Sequence, residues 1–217
     1  MDNLMTPLNA IIFDLDGTLA NTLPVCFQAF QSTLEHFNGR RPSQDEVAAY
    51  FGPTEEGMLE KMLPGRLDQA LPYFLDVYEQ VHAQCPQPFP GIEEALSLAK
   101  EKGLRTAIVT GKGRYTTEIS LRLLGLERWI DQVETGHLDR ADKPRSFRKV
   151  LDLWQMPPGR AAYIGDTPYD IDASLQVGML PLGAAWAGTS TLLQEPHPRA
   201  HAIFKDLPSF ISWLSRL

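Results

Sequence analysis

Cysteine is scarce in this chain: Cys26 and Cys85 are the only two among 217 residues. Neither belongs to a CxxC pair or stands beside paired histidines, which argues against a cysteine zinc site, and without a secretory feature the balance favours free thiols over a disulfide. Two buried free thiols are expected. The five histidines include no HExxH and no paired spacing, so they are read as structural or surface residues. No apolar run approaches a membrane span, and Met1–Asn9 has neither the basic nor the apolar segment of a secretion signal. A soluble, cytoplasmic protein without membrane contact is expected. Basic residues are outnumbered 20 to 27, a formal charge of −7, which argues against a general nucleic-acid binder. Internal repeats and low-complexity tracts are missing too. With 43% hydrophobic and 22% charged residues, the chain is neither disordered nor fibrous.

What is present is an alternation of short apolar runs and helix-like stretches. Strands are predicted at Ala10–Phe13, Arg105–Val109, Gln132–Glu134, Ala161–Ile164, Leu180–Gly183 and His201–Phe204. Between them Ile92–Glu101, Tyr115–Leu124, Ser146–Trp154 and Pro168–Val177 carry apolar residues at helical spacing, with Gly103, Gly125 and Gly178 placed as C-caps. The pattern predicts an α/β fold built on a doubly wound parallel sheet. From about Leu23 to Gln84 the alternation gives way to helix after helix, with a capping box at Ser43–Glu46 and a long apolar helix at Leu67–Val81. Pro86–Gly91 then breaks the chain. The expected organisation is an α/β core of residues 1–19 and 89–217 with an inserted small helical cap at 20–88, hinged at Thr18–Thr22 and Pro86–Gly91.

The most informative stretch is Phe13-Asp14-Leu15-Asp16-Gly17-Thr18, at the end of the first strand. Alternation puts Asp14 and Asp16 on one side and Leu15 in the core. Two like charges so close are tolerable if a cation neutralises them or one carboxyl stays protonated. Three more polar groups fall just beyond strand ends, where an open α/β sheet places function. They are Thr110-Gly111-Lys112, Lys143-Pro144 at a helix start, and Gly165-Asp166 with Asp170.

In these four motifs, in this order, the chain resembles the haloacid dehalogenase-like superfamily over essentially its whole length. The similarity is to the branch of phosphoglycolate phosphatase-like and pyrophosphatase-like members with a small helical cap. It implies a Rossmann-like core and a magnesium-dependent phosphatase acting on a small soluble phosphate ester or anhydride. By the same resemblance Asp14 is the nucleophile that forms an aspartyl-phosphate, and Asp16 protonates the leaving oxygen and then deprotonates water. Thr110, Gly111, Lys112 and Lys143 bind phosphate or substrate, Thr110 and Lys143 with catalytic roles. Mg2+ is implied on Asp14, the Asp16 carbonyl and Asp166, with Asp170 orienting from behind, though whether Asp166 or Asp170 dominates stays open. The implied partner is a small phosphorylated metabolite, and the chain is expected to be a monomer or homodimer.

Asp16 argues against carbon–halogen chemistry, which needs no proton donor there. A phosphomutase, or a binding or regulatory protein that lost catalysis, remains as an alternative. Gly111-Lys112-Gly113 is not a P-loop, because Thr106 stands where the first glycine belongs and Gly113 where Ser or Thr belongs. Specificity is expected in the cap, with Phe51-Gly52-Pro53-Thr54 and Glu55-Glu56 as the substrate-facing loop. Lys112 and Arg114 are placed either toward an anionic substrate or in solvent. Asn21 replaces an acidic residue often found after the first motif in similar sequences.

Overall fold

The computed structural model describes residues 7–217; most of the Met1–Asn9 stretch read for targeting signals lies outside the described residues. The first apolar run forms β1 (Ala10–Phe13), buried along its length. It is followed by α1 (Leu23–Asn38), α2 (Gln44–Ala48), α3 (Glu55–Met62) and α4 (Leu67–Val81), and the chain returns to the sheet through α5 (Ile92–Glu101). Strands and helices then alternate as β2 (Arg105–Val109), α6 (Arg114–Leu124), β3 (Gln132–Glu134), α7 (Lys143–Leu153), β4 (Ala161–Gly165) and α8 (Pro168–Val177). The chain closes with β5 (Leu180–Ala184), β6 (Ala202–Phe204) and α9 (Leu207–Ser215).

The sheet is parallel throughout, in the order β3-β2-β1-β4-β5-β6. Strands buried on both faces need apolar residues at every position, and β1 shows how this is met. Ile11 and Phe13 face one layer, where Ile92 and Leu96 of α5 and Phe210 of α9 pack. Ala10 and Ile12 face the other, against Phe147 and Val150 of α7. The strand order reverses on either side of β1, so β1, β2 and β4 open a crevice beyond their C-terminal ends.

The sequence-derived elements match closely, and the differences have local causes. Helix α7 begins at Lys143 rather than Ser146, because the Asp142 side chain caps it by accepting from the Arg145 N–H and Pro144 fits its first turn. Periodicity alone starts later, where apolar residues do. β4 runs on to Gly165 and β5 to Ala184, paired Gly165↔Gly183 and Ala184↔Phe204.

Helices α1 to α4 pack mainly on one another, with Phe30 and Phe74 rings 4.6 Å apart. They join the rest of the chain through the same apolar cluster that holds Ile92 and Leu121, and through polar contacts. Tyr78 Oη lies 2.8 Å from Ser120 Oγ, Arg122 pairs with Glu79 at 2.8 Å, and the Thr54 N–H donates to the His137 carbonyl at 2.9 Å. No helix among the described residues is long and apolar enough to cross a membrane.

Candidate active site

The crevice at the strand ends is a cavity of about 400 Å3. β1 delivers Asp14 and Asp16, β2 delivers Thr110, Gly111 and Lys112, the start of α7 delivers Lys143, and β4 delivers Asp166. The sheet therefore brings the proposed residues of all four motifs to one wall.

Asp14 is held at both oxygens. Its Oδ1 accepts from the Leu15 N–H at 2.8 Å and its Oδ2 from Lys143 Nζ at 2.7 Å. Lys143 Nζ also donates to Asp170 Oδ1 at 2.5 Å and to Tyr163 Oη at 3.0 Å. Burial opposes the ammonium charge of Lys143, but Asp14 and Asp170 outweigh it and hold the group well above its ordinary range. Both oxygens of Asp170 are engaged, Oδ2 by the Thr167 N–H at 3.0 Å and hydroxyl at 2.6 Å in the capping box of α8. Gly165 makes this possible, since a Cβ there would overlap the Asp170 side chain.

Asp166 differs from Asp170. Among the described residues no cation pairs with it, although it is 5% exposed. Burial, then the nearby Asp14 and Asp170, push its carboxyl up to about 8. Burial, partly offset by Lys143, raises Asp14 to about 6. Ligand oxygens of Asp14, Asp166 and Asp170 lie within 4.8 Å of one another, with one ammonium to serve them. Hard oxygen donors in charge excess suit a divalent cation such as magnesium. Asp170 accepts from Lys143 and twice from Thr167, and Asp14 from Lys143 and the Leu15 N–H, whereas the Asp166 carboxylate accepts no hydrogen bond from a side chain among the described residues. Gly17, at φ +71°, brings the backbone against Asp166 where any Cβ would collide with the carboxylate.

Asp16 faces the other way along the cavity. Its Oδ1 accepts from the Thr22 hydroxyl and lies 3.4 Å from Lys112 Nζ. Thr110 is buried, and its hydroxyl accepts the Lys112 N–H at 3.3 Å. Lys112 is not solvated: it is 4% exposed, its Nζ lies 3.3 Å from Glu55 and 4.9 Å from the centre of the Tyr78 ring. Burial opposes its charge, and Asp16, Tyr78 and Glu55 more than restore it. Arg114 does not reach the cavity; it is exposed and bonds Glu118 at 2.7 Å. The loop Phe51–Pro53 and Glu55 do line it, with Leu23, Cys26 and Met58.

Sequence reasoning missed Tyr163 and Thr22. Tyr163 is fully buried in β4 and its hydroxyl donates to the Val109 carbonyl at 3.0 Å while accepting from Lys143. The available signal was a phenol in a strand buried on both faces, which has to find a polar partner. Thr22 sits at the N-cap of α1 without capping it, and only the fold brings it to Asp16. Cys26 and Cys85 are free and buried, as expected.

The sequence profile of the family described as Haloacid dehalogenase-like hydrolase matches residues 11–184. A pyrophosphatase PpaX from Anoxybacillus flavithermus is 30% identical over 183 residues, covering 82% of this chain and 84% of that protein. Two solved structures share the fold. A predicted phosphoglycolate phosphatase from Haemophilus somnus superposes with a TM-score of 0.74 at 22% identity, covering 96% of this chain and 99% of that one. CbbY from Rhodobacter sphaeroides in complex with phosphate gives 0.76 at 19% identity, covering 92% and 95%.

Proposed function

Because this chain belongs to the haloacid dehalogenase-like hydrolases, we propose that it is a magnesium-dependent phosphatase acting on a small soluble phosphate ester or anhydride through an aspartyl-phosphate on Asp14. Hydrolysis of phosphate esters is the activity that the family and the relatives support. The observation that carries the reading is the Asp14–Lys143–Asp170 array beside the cation-free Asp166. It pairs a nucleophile, held at both oxygens, with a carboxylate site in need of a cation.

In this reading Asp14 and Asp166, with the Asp16 backbone carbonyl, hold Mg2+. When bound, the ion neutralises charge on phosphate and carboxylate so that two anions can approach. An Asp14 oxygen forms a bond to phosphorus while the bond to the leaving oxygen breaks, and Asp16 supplies the proton that oxygen needs. A water then attacks phosphorus, gives its proton to Asp16, and phosphate leaves with the Asp14 carboxylate restored. Lys143 stabilises the transferring phosphoryl, and the Thr110 hydroxyl and Gly111 N–H donate to its oxygens. Residues 20–88 act as a cap that closes over the site and excludes water.

The test is phosphate release from nitrophenyl phosphate with magnesium and with chelator, repeated with Asp14→Asn. Release that needs magnesium and falls at least about a thousandfold in the folded variant is expected. Near-normal turnover by Asp14→Asn overturns the nucleophile assignment.

A further inference from the structure

The end of the cavity away from Asp14 has its own charge pattern. Helix α3 carries in Glu55, which is 4% exposed. Its carboxylate accepts the Gly113 N–H at 2.5 Å and the Thr116 hydroxyl at 2.7 Å. It thereby occupies the N-terminus of α6, where unpaired N–H groups and the helix dipole favour an anion. The chain makes room for it: a Cβ at position 113 would collide with the carboxylates of Glu55 and Glu56. Lys112 is the cation at this end, and it lies between two carboxylates, 3.3 Å from Glu55 and 3.4 Å from Asp16. The remaining wall from residues 20–88 is apolar, with Leu23, Cys26, Phe51, Pro53 and Met58. No arginine, lysine or histidine of that segment lines the cavity among the described residues.

We propose that Glu55 is a specificity-determining residue that selects phosphate monoesters with an uncharged leaving group and turns away substrates with a second anionic group, phosphoglycolate and pyrophosphate among them. The proposal rests on the phosphatase reading above and narrows its substrate class. The protein's own carboxylate already takes the Gly113 N–H at the start of α6, which a second anion would need. Such an anion would instead meet Glu55, which is itself buried, so that its repulsion is less screened than at the surface. An uncharged group meets no such repulsion and buries apolar surface against Phe51 and Met58.

The experiment compares phosphoglycolate with its amide, phosphoglycolamide, which has the same shape without the second charge. Magnesium-loaded protein is used, with nitrophenyl phosphate as the activity control. The expected result is a kcat/KM about tenfold or more in favour of the amide. Glu55→Gln, which keeps an acceptor for the Gly113 N–H, is expected to bring that ratio down about tenfold. Lys112→Gln is expected to raise it. A loss of packing alone would move both substrates together and leave the ratio unchanged. Nitrophenyl phosphate turnover with equal or better use of phosphoglycolate by the native protein overturns the proposal and leaves the phosphatase reading standing. A native preference for the amide that Glu55→Gln does not change overturns the assignment to Glu55. Silence toward all three substrates in folded protein overturns both readings.

Discussion

At the scale of single residues, the site is governed by how many carboxylates share how few cations. Asp14 and Asp166 ionise at about 6 and about 8, burial being the main cause, against about 4 for a carboxyl in the unfolded chain. Each is held more tightly protonated in the folded state, so both contribute most favourably below about pH 4, and that contribution is lost as pH rises toward 8. Magnesium, in the function proposed, would replace protons on these oxygens. The increase in Tm on adding magnesium to chelator-treated protein is therefore expected to be larger at pH 8 than at pH 5.5; an equal or reversed increase by calorimetry contradicts a metal on this pair. Asp16 makes a different prediction. If it protonates the leaving oxygen, Asp16→Asn loses about a hundredfold on alkyl phosphates and far less on nitrophenyl phosphate, whose leaving group needs no proton. Single-turnover rates check this, and equal losses would remove the role.

At the scale of elements, glycines set how closely the pieces meet. Gly17 takes φ +71° in the turn after β1, and its missing Cβ leaves space for the Asp166 carboxylate. Gly17→Ala combines backbone strain with a collision against that carboxylate. It is expected to weaken magnesium activation at least about tenfold, read as the metal concentration for half-maximal activity. Inside the helical segment, Phe74 of α4 is fully buried against Phe30 and Tyr78. Phe74→Ala should cost about 3–5 kcal/mol, seen as a lower midpoint in urea unfolding. The element boundaries were legible where apolar periodicity coincided with capping chemistry, as at Ser43–Glu46 and the Gly125 and Gly178 C-caps. They were less so at α7, whose start is set by the Asp142 side chain and Pro144 before its apolar face begins.

At the scale of the whole molecule, α1 to α4 meet the rest of the chain through a shared apolar cluster and through polar contacts around Thr54, Glu55, Glu79 and Tyr78. The polar contacts can be exchanged for contacts with water if these helices move away from the site. Cys26 reports on that movement, because it lines the cavity and is 7% exposed. Burial pushes its thiol well up, so alkylation depends on opening. In a Cys85→Ser background, magnesium with inorganic phosphate is expected to slow alkylation of Cys26 several-fold. A faster or unchanged rate would count against closure of this segment over the site.

The sequence by itself determined the parallel α/β layering, the helical insertion after β1, the two free thiols, the strand-end positions of Asp14, Asp16, Thr110 and Asp166, and the helix-start position of Lys143. These follow from local rules, because buried strands need unbroken apolar runs and loops at strand ends are where polar residues can converge. Only the tertiary structure decided which groups are satisfied and by what. Asp170 gives its oxygens to Lys143 and Thr167 while Asp166 is left without a cation, and Tyr163 supports Lys143 from 20 residues away. Lys112, open in the sequence to either a substrate or a solvent role, is buried between Asp16 and a glutamate 57 positions earlier. Distances of that kind depend on how α3 is packed over α6, and no periodicity along one chain encodes a contact between side chains so far apart.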